Sequence, residues 1–133
     1  SPFNITQAGD YAVLALSKET VGVDLERFRP LDWQRIAERF FHPEERAFLA
    51  HSPEPEKDFF RIWTLKESYL KAEGTGFSVS PASFAILPSD ESSAIFFGET
   101  NYRFERLTAF PDYCLSVCTL EDDVSPHVIL KEF

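Results

Sequence analysis

Two short stretches of the chain place side chains that could do phosphate chemistry. In Val21-Gly22-Val23-Asp24-Leu25-Glu26, apolar and polar residues alternate. A strand there sends Val21, Val23 and Leu25 to one face and Gly22, Asp24 and Glu26 to the other. Two carboxylates roughly 7 Å apart along a strand can serve one hard cation, directly or through water, and Gly22 would leave room beside them for a bulky ligand. About forty residues further on, Trp63, Glu67 and Lys71 follow at successive i, i+4 spacings, a helical stripe that sets a third acid beside a base. Magnesium bound to a phosphate suits such a set. So does a plain surface, with the strand acids facing Arg27 or Arg29 and a Glu–Lys helix pair contributing about 0.3 kcal/mol. Neither stretch alone decides between these readings.

The elements that must position these residues are legible from pattern. Tyr11 to Leu16 is an apolar run of strand length, closed by the polar turn Ser17 to Thr20, and Val21 to Phe28 follows as a second run, which predicts a hairpin. Pro30 stops it. Trp33, Ile36, Ala37, Phe40 and Phe41 recur at a helical period over Leu31 to Phe41, with Asp32 as N-cap. His42-Pro43-Glu44-Glu45 opens a short helix through Ala50, since proline suits the first turn and acids favour the positive helix end. His51 to Lys57 reads as a loop. Asp58 then caps the longest helix, Phe59 to Ala72, whose stripe of Ile62, Leu65, Tyr69 and Ala72 faces a core and which Gly74 and Gly76 end. Ser83 to Leu87, Ala94 to Phe97, Tyr102 to Thr108 and Tyr113 to Thr119 are short β-rich runs between turn residues. The order predicts an α+β fold, an antiparallel β-sheet packed against a long helix and shorter helices, in a single domain spanning 1–133.

Composition narrows the class. Of 133 residues, 44% are hydrophobic and 15% aromatic, 14 of them Phe, enough to fill one core with rigid rings. The net charge of −9 argues against nonspecific binding to nucleic acid or an anionic membrane, both of which need a basic surface. No apolar run has membrane-spanning length and no leader pattern is present, so a cytoplasmic protein is expected. Cys114 and Cys118 would share a strand face as buried free thiols, in keeping with a reducing compartment.

Taken together, the Gly-x-Asp-x-Glu strand and Trp63-Thr64-Leu65-Lys66-Glu67-Ser68-Tyr69-Leu70-Lys71 resemble the paired signature of the 4'-phosphopantetheinyl transferase superfamily, V/I-G-V/I-D followed by F/W-x-x-K-E-A/S-x-x-K. The likeness extends to Phe40-Phe41-His42-Pro43-Glu44-Glu45 before the helix and Glu73 to Ser78 after it, and covers most of residues 3 to 87. It is to the catalytic, C-terminal half of the surfactin-type enzymes. The resemblance implies transfer of the phosphopantetheine arm of coenzyme A to a serine of an acyl or peptidyl carrier protein, releasing 3',5'-ADP. It makes Asp24, Glu26 and Glu67 the Mg2+ site, Glu67 also the base for the serine, and Lys66 and Lys71 contacts to the phosphates, with Trp63 as packing or support. Gly74-Thr75-Gly76 matches a turn beside the pantetheine arm, although a helix stop explains it equally.

Phe3-Asn4-Ile5-Thr6-Gln7-Ala8-Gly9 resembles the family's F-N-L-S-H-S-G segment, which implies that Thr6 and Gln7 contact the 3'-phosphate of coenzyme A. Gln7 stands where a histidine is expected and brings no positive charge to that contact. Because the surfactin-type enzymes fuse two similar halves and this chain matches one, the resemblance also implies dependence on a second half-domain or on homo-oligomer formation. A basic patch near Arg35, Arg39 and Arg61, or apolar contacts, would receive the carrier. The reading from another class is a noncatalytic module that keeps the fold and binds coenzyme A or a carrier protein.

Overall fold

The structure is a computed structural model that describes residues 2–74, 78–98, 101–108, 111–122 and 125–133. In chain order it forms β1 (Phe3–Ala8), β2 (Tyr11–Leu16), β3 (Val21–Arg27), α1 (Trp33–Phe40), α2 (Pro43–Ala50), α3 (Pro55–Glu73), β4 (Ile86–Ser89), β5 (Ser93–Phe96), β6 (Tyr102–Leu107), β7 (Tyr113–Leu120) and β8 (His127–Glu132). The fold is α+β, as expected, but its strands make three antiparallel sheets among the described residues: β1-β2-β8, β3-β7-β6 and the pair β4-β5.

The expected hairpin of β2 with β3 does not form. β2 pairs with β1 and β8, whereas β3 pairs with β7, Asp24 lying opposite Ser116. The reason is burial. Val13 and Ala15 of β2 join Val21, Val23 and Leu25 of β3 and Leu115 and Val117 of β7 in one core cluster, so the two strands meet face to face. The polar turn after Leu16 carries the chain between layers rather than along a sheet edge. β1 and β8, which the pattern reading did not mark as strands, complete the outer sheet.

The other face of the β3-β7-β6 sheet supports α3, and here Gly22 has a different role from the one expected of it. A Cβ on Gly22 would lie 1.9 Å from the Ser68 carbonyl oxygen and 2.6 Å from the Ala72 nitrogen. The missing side chain admits the helix backbone, not a ligand.

Local chemistry sets the helices. Asp32 caps α1 by accepting from the Arg35 amide at 3.4 Å. α2 opens with a reciprocal cap in which His42 Nδ1 accepts from Glu44 N at 3.0 Å and the Glu45 carboxylate accepts from His42 N at 2.9 Å. α3 begins at Pro55, so Asp58 lies within its first turn and is not its cap; its carboxylate accepts from Ser52 Oγ and Arg61 Nη1, both at 2.7 Å. Gly74, at φ 73, ends the helix by donating to the Leu70 carbonyl. Gly76, expected as a second stop, lies outside the described residues, as does Thr75. Phe41, Phe59 and Trp63 stack between the helices.

Candidate active site

Asp24 projects from β3 toward α3 and is buried. One carboxylate oxygen accepts from Lys71 Nζ at 3.1 Å, and the same ammonium donates to the Val23 carbonyl at 2.9 Å. The other oxygen, Oδ2, is buried and has no hydrogen-bond partner among the described residues. Burial pushes the Asp24 carboxyl up to about 7, against the pull of Lys71, and the charges of Glu26 and Glu67 push the same way as burial. Burial also raises Glu67, again opposed by Lys71 and reinforced by Glu26. Lys71 and Glu26 thus act on both Asp24 and Glu67.

Glu67 and Lys71 open onto a groove of about 490 Å³ whose walls include Phe40, Trp63, Leu70 and Pro81. Glu26 lines an adjoining cleft with Arg29, Leu31 and again Trp63. The indole is thus a shared wall as well as a member of the aromatic stack. Glu26 also meets Arg29 at 3.4 Å in a partly exposed pair.

Three carboxylates are the donor type a hard divalent cation takes, and the orphaned Asp24 Oδ2 is an acceptor that a cation would satisfy. On donor chemistry the residues fit magnesium. Their present spacing is looser than a ligand cage: among the described residues no three His, Cys, Asp or Glu side chains are gathered closely enough to enclose an ion, and Lys71 is the cation Asp24 faces.

The other expected contacts fall elsewhere. Lys66 is buried, its ammonium held by Glu45 Oε2 at 2.9 Å and by the Phe84 carbonyl at 2.6 Å, over the Phe84 ring. Adjacent positions on a helix point about 100° apart, so beside Glu67 it turns away from the groove; it ties α3 to α2 and the approach to β4 and is not placed for a phosphate. Thr6 is buried too, with Oγ1 accepting from Leu25 N at 3.2 Å, next to Asn4, whose Oδ1 accepts from Val23 N at 2.8 Å. These two side chains satisfy the free edge of β3, the Thr6 hydroxyl serving the fold as an acceptor; Gln7 points outward and is exposed. Arg61, expected in a basic patch with Arg35 and Arg39, is paired with Glu54 and Asp58, both at 2.7 Å.

Sequence reasoning missed Asn4 and Glu45. The polar residues Asn4 and Thr6 alternate with Phe3 and Ile5, a period-2 signal of which side faces β3. For Glu45 the cap spacing was visible, but its buried partner lies 21 residues away.

Residues 20–118 match the 4'-phosphopantetheinyl transferase superfamily, and the chain belongs to it. Among curated relatives, it is 32% identical over 131 residues to a 4'-phosphopantetheinyl transferase of Bacillus pumilus, covering 95% of this chain and 56% of the relative. A 4'-phosphopantetheinyl transferase of Aneurinibacillus migulanus is 34% identical over 136 residues, covering 97% and 56%. The chain thus spans little more than half the length of these relatives. In fold it is similar to the holo-[acyl-carrier-protein] synthase of Thermotoga maritima, with TM-score 0.62 and 22% identity over 77% of this chain and 63% of that one. The synthase of Bacillus anthracis, solved in complex with CoA (3',5'-ADP), gives TM-score 0.59 and 20% identity over 82% and 99%.

Proposed function

We propose that this chain is the catalytic half of a phosphopantetheinyl transferase that moves the 4'-phosphopantetheine arm of coenzyme A onto a serine of an acyl or peptidyl carrier protein in the cytoplasm. The observation that carries the reading is the Asp24–Lys71 pair with Glu26 and Glu67 near it, Lys71 and Glu67 lining the groove walled by Trp63. In the reaction the serine oxygen forms a bond to the β-phosphorus, the bond from that phosphorus to the 3',5'-ADP oxygen breaks, and the serine proton leaves to a base.

Glu67 is that base. Burial makes its carboxylate a better proton acceptor than a solvated one, and it opens on the groove. Lys71 sets a positive charge beside the transferring phosphate, and the semi-enclosed groove strengthens that interaction. Asp24, with Glu26 and Glu67, would hold Mg2+, which when bound neutralises phosphate charge. Trp63 shapes the groove wall.

The partner that completes the cleft is a second half-domain, in line with the greater length of the relatives. The outer face of the β1-β2-β8 sheet supports this. Phe3 and Ile5 are 63% and 57% exposed, and the strand register sets them beside Leu16, Leu14 and Ile129 on one apolar face.

The test is magnesium-dependent loading of a fluorescent coenzyme A onto an apo carrier protein, with a second half-domain supplied. Labelled carrier that disappears in EDTA and in Glu67→Gln is the expected result. No labelling under any of these conditions overturns the reading.

A further inference from the structure

The two flanks of α3 differ in their predominant charge. The acids Asp24, Glu26 and Glu67 gather on the β3 side. On the β6–β7 side a separate pocket of about 160 Å³ is lined by Lys57, Arg61 and Arg106 together with Thr64, Thr108 and Ser116, and no carboxylate is among its described lining residues. In a chain of net charge −9 this concentration of cations is unusual.

Each cation keeps donors to spare. The Lys57 ammonium makes no hydrogen bond or ion pair among the described residues and stands 5.6 Å from the Phe28 ring centre. Arg61 meets both Glu54 and Asp58 through Nη1 alone. Arg106 gives Nε to the Ser93 carbonyl and Nη2 to those of Ser89 and Asp90, which leaves Nη1. Arg106 is lowered by burial and then by the charge of Arg61, while Asp58 and Asp90 from outside the lining and Cys114 within it act in the opposite direction, so the two guanidiniums repel across the space. Thr64 and Ser116 share a hydrogen bond of 2.8 Å at the inner end. At about 160 Å³ the pocket has room for a tetrahedral anion with some hydration.

We propose that this pocket binds a free tetrahedral oxyanion, inorganic phosphate or sulfate, among Lys57, Arg61 and Arg106. The anion relieves the Arg61–Arg106 repulsion and takes the unused N–H donors in charge-assisted hydrogen bonds. The site shares no residue with the Asp24–Lys71 groove, so its failure would leave the transferase reading intact.

Titration of the full chain with inorganic phosphate at constant ionic strength, followed by amide NMR shifts, tests it. Saturable shifts at Arg61, Thr64, Arg106 and Ser116 are expected, unchanged in Lys71→Ala, which removes the groove lysine. Lys57→Glu and Thr108→Glu, both at exposed positions that leave the core alone, each weaken phosphate binding about tenfold. The proposal is overturned if those amides show no saturable shift, or if the shifts vanish in Lys71→Ala and persist in Lys57→Glu.

Discussion

Replacing Asp24 by asparagine should stabilise the protein and abolish its chemistry at the same time. The Asp24 carboxyl is pushed up to about 7 by burial, from an ordinary value near 3.8. A raised folded-state value means the folded form holds its proton more tightly than the unfolded chain does. Stability from this group is therefore full below about pH 4, falls as the pH rises toward 7, and is lost above it. The rise from 3.8 to about 7 corresponds to about 4 kcal/mol. Some of this is offset in the variant because Lys71 loses a charged partner, so a net gain of roughly 2 kcal/mol at pH 8 is expected, with almost none at pH 4. Thermal unfolding by circular dichroism in EDTA at the two pH values measures it: the wild type should lose stability between them, and Asp24→Asn should lose less. Added magnesium should raise the melting temperature of the wild type at pH 8 and leave the variant unmoved. If Asp24→Asn is less stable than wild type at pH 8 by as much as at pH 4, the ionised carboxylate is a stabilising group and the reasoning from burial fails.

Other outcomes follow from the same contacts. Gly22→Ala should destabilise the fold by at least about 3 kcal/mol in urea unfolding, because backbone atoms of Ser68 and Ala72 cannot yield as a side chain would. Lys66→Met leaves Glu45 charged and buried without its partner, and should cost about 3–5 kcal/mol, with a larger loss at pH 8 than at pH 5, where Glu45, raised by burial, can take up a proton. Glu67→Gln should lower transfer about 100-fold or more while unfolding at nearly the same denaturant concentration, a separation that a merely structural glutamate would not show. Asn4→Ala should cost roughly 1–3 kcal/mol by leaving the Val23 amide without an acceptor, read as early loss of amide-exchange protection along β3.

The groups proposed to carry the chemistry were legible because their geometry is local. A strand repeats every two residues and a helix brings i and i+4 together, so Asp24 and Glu26 share a face, and Glu67 and Lys71 share a groove, before any tertiary contact is known. The caps of α1 and α2 were legible for the same reason. What stayed hidden depends on partners distant in sequence. A short polar turn can close a hairpin or cross between layers, and only the common burial of Val13 with Val23 selects the second. Lys66 reads as one more basic residue beside Glu67 until Glu45 is seen across from it. Thr6 reads as a phosphate ligand, and its second task, accepting from the edge of β3, shows only once Leu25 is seen beside it.

The contact of Gly22 with Ser68 and Ala72 works as a ruler. It locks the sliding of α3 along β3 through backbone atoms, two residues from Asp24 and within a turn of Glu67 and Lys71. The spacing of acids and base is thus set where strand and helix touch, not by the length of chain between them. Insertions or deletions across α1, α2 and the segment joining α2 to α3 can alter how a partner is greeted while Asp24, Glu67 and Lys71 keep their distances.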